Sequence, residues 1–131
     1  MDNFTIVRPE HLNHHGYLFG GVMLKWVDEN AWLAASRDYP GCNLVTLGMT
    51  ACRFKHRVKN GSILRFNMHR SSQGRTSATY DVTVFADAPG AIVEEEVFST
   101  AVTFVRLGSD GQPCELTQSK EKSQQKSREP H

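Results

Sequence analysis

Most residues able to do chemistry lie in one stretch, His11 to Trp32, HLNHHGYLFGGVMLKWVDENAW. Gly16, Gly20 and Gly21 stand just before and at the start of a segment that predicts a helix. Glycine there permits unusual backbone angles and close approach of a ligand. The free N–H groups of a first helical turn favour negative charge, either a phosphate or the oxyanion of an acyl-transfer intermediate. The same glycines would also serve a tight entry turn, and their spacing is neither GxGxxG nor a P-loop. Asp28 adds a second element. Its helical neighbours would be Leu24, Lys25, Ala31 and Trp32, a mostly apolar row. A carboxylate there either pairs, with Lys25, or works as a general base or nucleophile. It lies seven residues, about two turns, beyond Gly21. Within one subunit it therefore cannot reach the atom that the helix-start N–H groups hold, unless substrate or a second subunit bridges them. His11, His14 and His15 are dense, but Asn13 and Gly16 disfavour the helix that metal-ligand spacing of this sort uses. They read as a polar loop with one histidine lining a pocket, and no metal is expected.

Charge is segregated along the chain. No acidic residue occurs between Asp38 and Asp81, where Arg53, Lys55, Arg57, Lys59, Arg65, Arg70 and Arg75 supply seven cations. Arg53, Lys55, Arg57 and Lys59 share one parity, and on a regular strand one face. This interval is a candidate anion site. Glu94, Glu95 and Glu96 read as a solvated strand edge or as counter-charge to that basic region. The total of +1, and few aromatics among the cations beyond Phe54 and Phe66, argue against a nucleic-acid partner.

The elements that must position these residues follow from periodicity. Gly20 to about Arg37 predicts one helix, apolar nearly all round and therefore buried, which Pro40-Gly41 ends. Trp26 and Trp32 read as packing residues. Beyond Pro40 the chain reads as strands: Leu64, Phe66 and Met68 alternate with polar residues, as do Ala78, Tyr80, Val82 and Val84. Asn43–Lys55 and Val93–Leu107 are apolar on both parities, as in strands covered on both faces. Asn60-Gly61, Ser72-Gln73-Gly74 and Ala88-Pro89-Gly90 predict hairpins. The expected class is α+β, a sheet wrapped around one long central helix. At 131 residues and 39% hydrophobic, the chain is one soluble domain over 1–115, followed by a polar tail over 116–131. No apolar run is long enough to span a membrane, no secretory signal is seen, and Cys42, Cys52 and Cys114 are too few and too scattered for a disulfide framework. A cytoplasmic location is expected.

The motif Asn13-His14-His15-Gly16-Tyr17-Leu18-Phe19-Gly20-Gly21, followed by Lys25-Trp26-Val27-Asp28, resembles the hotdog-fold acyl-CoA thioesterases of the acyl-CoA hydrolase type. The family pattern is Asn-x-x-Gly, an apolar pair, Gly-Gly and an Asp seven residues on. The resemblance runs from about Arg8 to Leu107, taking in Val45-Thr46, Phe54, Gly61 and Gly74-Arg75-Thr76-Ser77; it departs at Arg57 and Ser62, where the family commonly has Pro and Asp. It implies a hotdog fold and hydrolysis of acyl-CoA to a carboxylate and CoA, with no cofactor beyond the CoA the substrate carries. It implies Asp28 as base or nucleophile, Asn13 orienting water or the thioester carbonyl, and backbone N–H of Gly20 and Gly21 as oxyanion hole. It also implies an active site at a homodimer interface, Asn13 from one subunit and Asp28 from the other, with further assembly into a hexamer as a trimer of dimers. Gly74, Arg75, Thr76 and Ser77 are the expected contacts to CoA, Arg75 to its phosphates. The alternatives are a non-catalytic acyl-CoA-binding hotdog protein, and a hotdog dehydratase or hydratase using a histidine with an acidic partner.

Overall fold

Ala31, Ala34 and Ala35 give one side of the predicted helix almost no side-chain bulk, so it can lie close against a sheet. In the computed structural model, which describes residues 1–117, helix α1 spans Gly20–Asp38. It buries Met23, Val27, Asn30, Ala31, Ala34 and Ala35, a single stripe at helical spacing. The opposite side is open: Trp32 and Leu33 are 42% and 40% exposed. The expectation of a helix buried all round is therefore corrected for the single chain, because the sheet covers only one of its faces. Tyr39 closes the helix through its N–H to the Ala35 carbonyl, and Gly41 turns the chain with φ 83°.

Five antiparallel strands curve around that stripe. They are β1 (Asp2–Ile6), β2 (Asn43–Phe54), β3 (Ile63–Gln73), β4 (Ser77–Asp87) and β5 (Glu95–Leu107), in the spatial order β1-β3-β4-β5-β2. Inward residues of neighbouring strands meet in register, Phe66 opposite Val84 and Val84 opposite Phe98, and all three are fully buried. Ser72–Gly74 and Ala88–Gly90 make the expected hairpin connections. Asn60-Gly61 does not, because β2 pairs with β5 and β3 lies across the sheet; the turn, with Gly61 at φ 83°, carries the chain between them. Among the described residues no helix is long and apolar enough to cross a membrane.

One strand was not expected, and three expectations, on β2, β5 and the tail, are revised. β1 pairs with β3, although its sequence gave no apolar inward row: Asn3 and Thr5 face inward, and Asn3 donates to the Asn30 side chain at 2.7 Å. β2 is an edge strand whose only buried residue is Leu44, with Leu47 and Phe54 exposed by 68% and 55%; it is not covered on both faces. β5 buries Val97, Phe98, Thr100, Val102, Phe104 and Val105, while Val93 stands in solvent before it. Leu116, assigned by composition to the tail, is buried in the core and its N–H meets the Arg75 carbonyl at 2.8 Å. An apolar residue within reach of an uncovered core edge gains more by docking than its ordering costs. Beyond Thr117 the expected tail lies outside the described residues.

Candidate active site

The loop before α1 is built by short-range hydrogen bonds. Pro9–His11 forms a 3-10 turn in which His11 Nδ1 accepts the Arg8 N–H at 2.9 Å, and the His11 ring stands edge-on to Trp26 at 4.7 Å. The His11 carbonyl then accepts the Phe19 N–H, fixing the residue that precedes the helix. Between these anchors, Asn13 Oδ1 accepts the N–H groups of His15 and Tyr17 at 2.9 and 3.1 Å. Gly16, at φ 84°, makes the reversal that this geometry requires. With its oxygen engaged, Asn13 keeps its NH2 group as the free end: a donor suited to a carbonyl oxygen or a water. His14 and His15 are exposed, their rings in tilted contact with centroids 3.9 Å apart.

At the helix start, the N–H groups of Val22 and Met23 both point to the Phe19 carbonyl. Those of Gly20 and Gly21 are left with no acceptor among the described residues, as a first turn demands. No carboxylate of the first turn competes for them. A Cβ at Gly21 would come within 2.7 Å of the exposed Phe19 ring, which would have to swing aside. Asn13 and Gly20 border one cavity of about 570 Å³, with Tyr17, Met23, Phe54, Arg57 and Val97 among its other walls. That is a volume typical of small-molecule sites.

Asp28 is not on this cavity. Half-buried two turns along α1, it accepts the Thr46 hydroxyl at 2.6 Å. Among the described residues Lys25 makes no ion pair with it, so the pairing weighed for this carboxylate is not formed. Thr46 was visible in sequence only as part of a strand start. Its role depends on β2 crossing the middle of α1, a long-range fact with no local signature.

The Gly74–Ser77 turn joins β3 to β4 and is closed by the Gly74 N–H to the Ser77 carbonyl at 2.8 Å. Arg75 is exposed at its tip, and the Thr76 carbonyl takes the Arg106 N–H. Strand register places this turn at the Asp28 end of the sheet: Ser77 opposes Val105, which opposes Val45, and Ala78 opposes Phe104, which opposes Thr46. The cavity of Asn13 is bordered by Val97, eight residues along β5 from Val105, or roughly 26 Å. One chain thus carries two separated groups: Asn13, Gly20 and Gly21 at one end, and Asp28, Thr46 and the Gly74–Ser77 turn at the other.

The seven cations also divide. Strand β2 ends at Phe54 after irregular pairing between Thr50 and Arg53, where Ala51 takes φ 53°. Residues 55–59 are therefore not strand, and the single cationic face expected of Arg53, Lys55, Arg57 and Lys59 is not formed. Arg53 pairs with Ser99 on the outer side of the sheet, whereas Lys55 and Arg57 border the cavity. The glutamate run is counter-charge: Glu96 pairs with Lys55, Glu95 with His56 at 3.1 Å, and Glu94 with Arg65 through two hydrogen bonds of 2.9 and 3.1 Å. The Arg65 guanidinium holds the Glu94 carboxyl below its ordinary pKa. At the C-terminal end of α1, Tyr80 of the inward row of β4 donates to Asp38 at 2.5 Å, and burial followed by that carboxylate raises the phenol's pKa well above normal. Arg70 donates to the Tyr39 hydroxyl at 2.7 Å.

The sequence model of the thioesterase superfamily matches residues 15–93, more than half of the chain. The chain belongs to the thioesterase superfamily. A hexameric hotdog-fold thioesterase of Campylobacter jejuni is 29% identical, with a TM-score of 0.79 over 93% of this chain and 92% of that one. The superfamily domain described here thus has the hotdog fold. Acyl-coenzyme A thioesterase 11 of Mus musculus is 30% identical over 100 residues, 76% of this chain and 17% of that protein. The cytosolic acyl coenzyme A thioester hydrolase of Rattus norvegicus is 27% identical over 115 residues, 86% of this chain and 30% of that protein. The chain thus spans less than a third of the length of these two relatives.

Proposed function

We propose that this chain hydrolyses acyl-CoA thioesters at a site completed by two copies of itself. The observation that carries the reading is the division just described. Free oxyanion-type donors and Asn13 stand at one end, and a carboxylate held by Thr46 stands at the other, on an edge strand whose outer side is unpaired and apolar. A second copy laid antiparallel along β2 would bring its Asn13, Gly20 and Gly21 to the first copy's Asp28. The hexameric Campylobacter protein supports an assembled form, and a trimer of such dimers is the arrangement proposed.

In that site the thioester carbonyl oxygen takes the N–H groups of Gly20 and Gly21. Donors of this kind lower a barrier by about 3 kcal/mol each where they meet the developing oxyanion. Asn13 donates its NH2 to the carbonyl or to the attacking water. Asp28 either removes a proton from that water, which attacks the carbonyl carbon, or attacks the carbon itself to give an acyl–Asp28 anhydride that water then hydrolyses. The carbon–sulfur bond breaks, and CoA leaves as a thiolate that needs little further help. A thioester has less resonance stabilisation than an ester, so this set suffices without Ser, Cys, metal or cofactor. Arg75 and the Gly74–Ser77 turn are the proposed contacts to CoA phosphates, and the cytoplasm is the proposed location.

The test is thiol release from short, medium and long acyl-CoAs. The reading expects CoA release from at least one length class; a protein that releases no thiol from any of them refutes it. The same panel sets the acyl length that the site accepts.

A further inference from the structure

Charge accounting around the cavity of Asn13 singles out one group. Its rim carries Lys55, His56 and Arg57. Lys55 is neutralised by Glu96, and His56 lies against Glu95 at 3.1 Å. Arg57 has no carboxylate partner among the described residues; its guanidinium instead lies over the Tyr17 ring, 5.2 Å from the centroid. An aromatic face orients a guanidinium while leaving its N–H groups free. The platform is itself fixed. Tyr17 donates its N–H to Asn13 Oδ1 and bridges to Lys59, and the Leu18 N–H meets the Val58 carbonyl at 2.9 Å. Arg57 is thus an oriented, uncompensated cation at the mouth of a cavity of about 570 Å³, on the same short pairing that positions Asn13.

We infer that Arg57, seated on Tyr17, binds an anionic oxygen group of the thioester ligand. This rests on the hydrolase reading above and deepens it. The shared chemistry is a planar or tetrahedral oxyanion meeting a guanidinium, and two parts of the ligand can carry it: a phosphate of CoA, or a carboxylate at the far end of the acyl group. Arg57 is a binding residue distinct from Arg75, which lies at the opposite end of the sheet.

The experiment compares the wild-type protein with Arg57→Gln on butyryl-CoA, glutaryl-CoA and the butyryl thioester of N-acetylcysteamine, which has no phosphate. Arg37→Gln removes the same charge from the exposed last turn of α1 and is the control, expected to stay within about twofold of wild type because it lies neither on the cavity of Asn13 nor on β2. A loss of kcat/KM of about tenfold in Arg57→Gln, confined to glutaryl-CoA, identifies the acyl carboxylate. A similar loss on both CoA esters, absent from the N-acetylcysteamine ester, identifies a CoA phosphate. Equal change on all three, or none beyond Arg37→Gln, overturns the inference. If the wild type turns over none of the three, and none of the longer acyl-CoAs of the length panel, the hydrolase reading fails. Titration calorimetry with CoA and with glutaryl-CoA then decides the subsite alone: about tenfold weaker binding of either by Arg57→Gln supports it, and equal binding of both, or no binding of either, overturns it.

Discussion

Thr46→Val isolates the contact that holds Asp28. The two side chains are nearly isosteric, so the change deletes one hydroxyl and leaves the strand's packing in place. What is lost is a hydrogen bond of 2.6 Å from the Thr46 hydroxyl to Asp28 Oδ1. Such a bond to a charged group contributes about 1.5–3 kcal/mol when sheltered from water. Thr46 is exposed and Asp28 half-buried in the single chain, which pulls the value toward the lower bound. Expressed wholly in the transition state, about 1.5 kcal/mol is a loss of roughly tenfold in kcat. The carboxylate would still be present but free to rotate away from its productive orientation, so KM should change little. Steady-state thiol release under saturating acyl-CoA measures this directly, with urea unfolding to show that stability is unchanged. Full kcat, or a loss confined to KM, would refute the claim that Thr46 positions Asp28 for the chemical step.

Two other predictions concern the scaffold. Glu94 is held below its ordinary pKa by Arg65, so the unfolded chain binds the extra proton first; the pair's contribution is complete above about pH 4.3 and is lost as pH falls below it. Glu94→Gln should flatten the fall of melting temperature on acidification through that window, and an unchanged slope would show that the pair does not stabilise the fold. Phe66 is fully buried between β3, the Val84 row and the Trp26 edge, so Phe66→Ala should lower unfolding free energy by about 3–5 kcal/mol in urea titration. A loss below about 1 kcal/mol would mean that the core is organised elsewhere.

What could be read in the sequence is what local chemistry dictates. Helix α1 begins at Gly20 and ends just before Pro40-Gly41, because a cluster of glycines and a Pro-Gly pair leave little freedom there. The inward rows of β3 and β4 alternate so regularly that their register follows almost directly. Asn13, Gly20 and Asp28, the residues of the proposed site, were singled out by a motif with fixed spacing. What escaped reading depended on distant partners. β1 turns the half-buried Asn3 inward by giving it Asn30 to bond, an exchange that no five-residue window displays. The apolar surface of β2 and of Trp32 and Leu33 looked like core because sequence records hydrophobicity, not which chain covers it. Parity placed Arg53 with Arg57, but an irregular turn at Ala51 put them on different sides. Thr46 became part of the site only when β2 was laid across α1.

The central claim is that neither group of residues is sufficient and that two chains complete each site. Subunit complementation tests it most directly. Asn13→Ala and Asp28→Asn are each prepared, shown to be folded and inactive in thiol release, then unfolded together and refolded as an equal mixture. Random pairing makes about half of the dimers mixed, each with one intact site, so about a quarter of wild-type activity should return. Recovery near that fraction is the predicted result. No recovery from a mixture shown to contain mixed dimers, or full activity in either variant alone, would contradict the account.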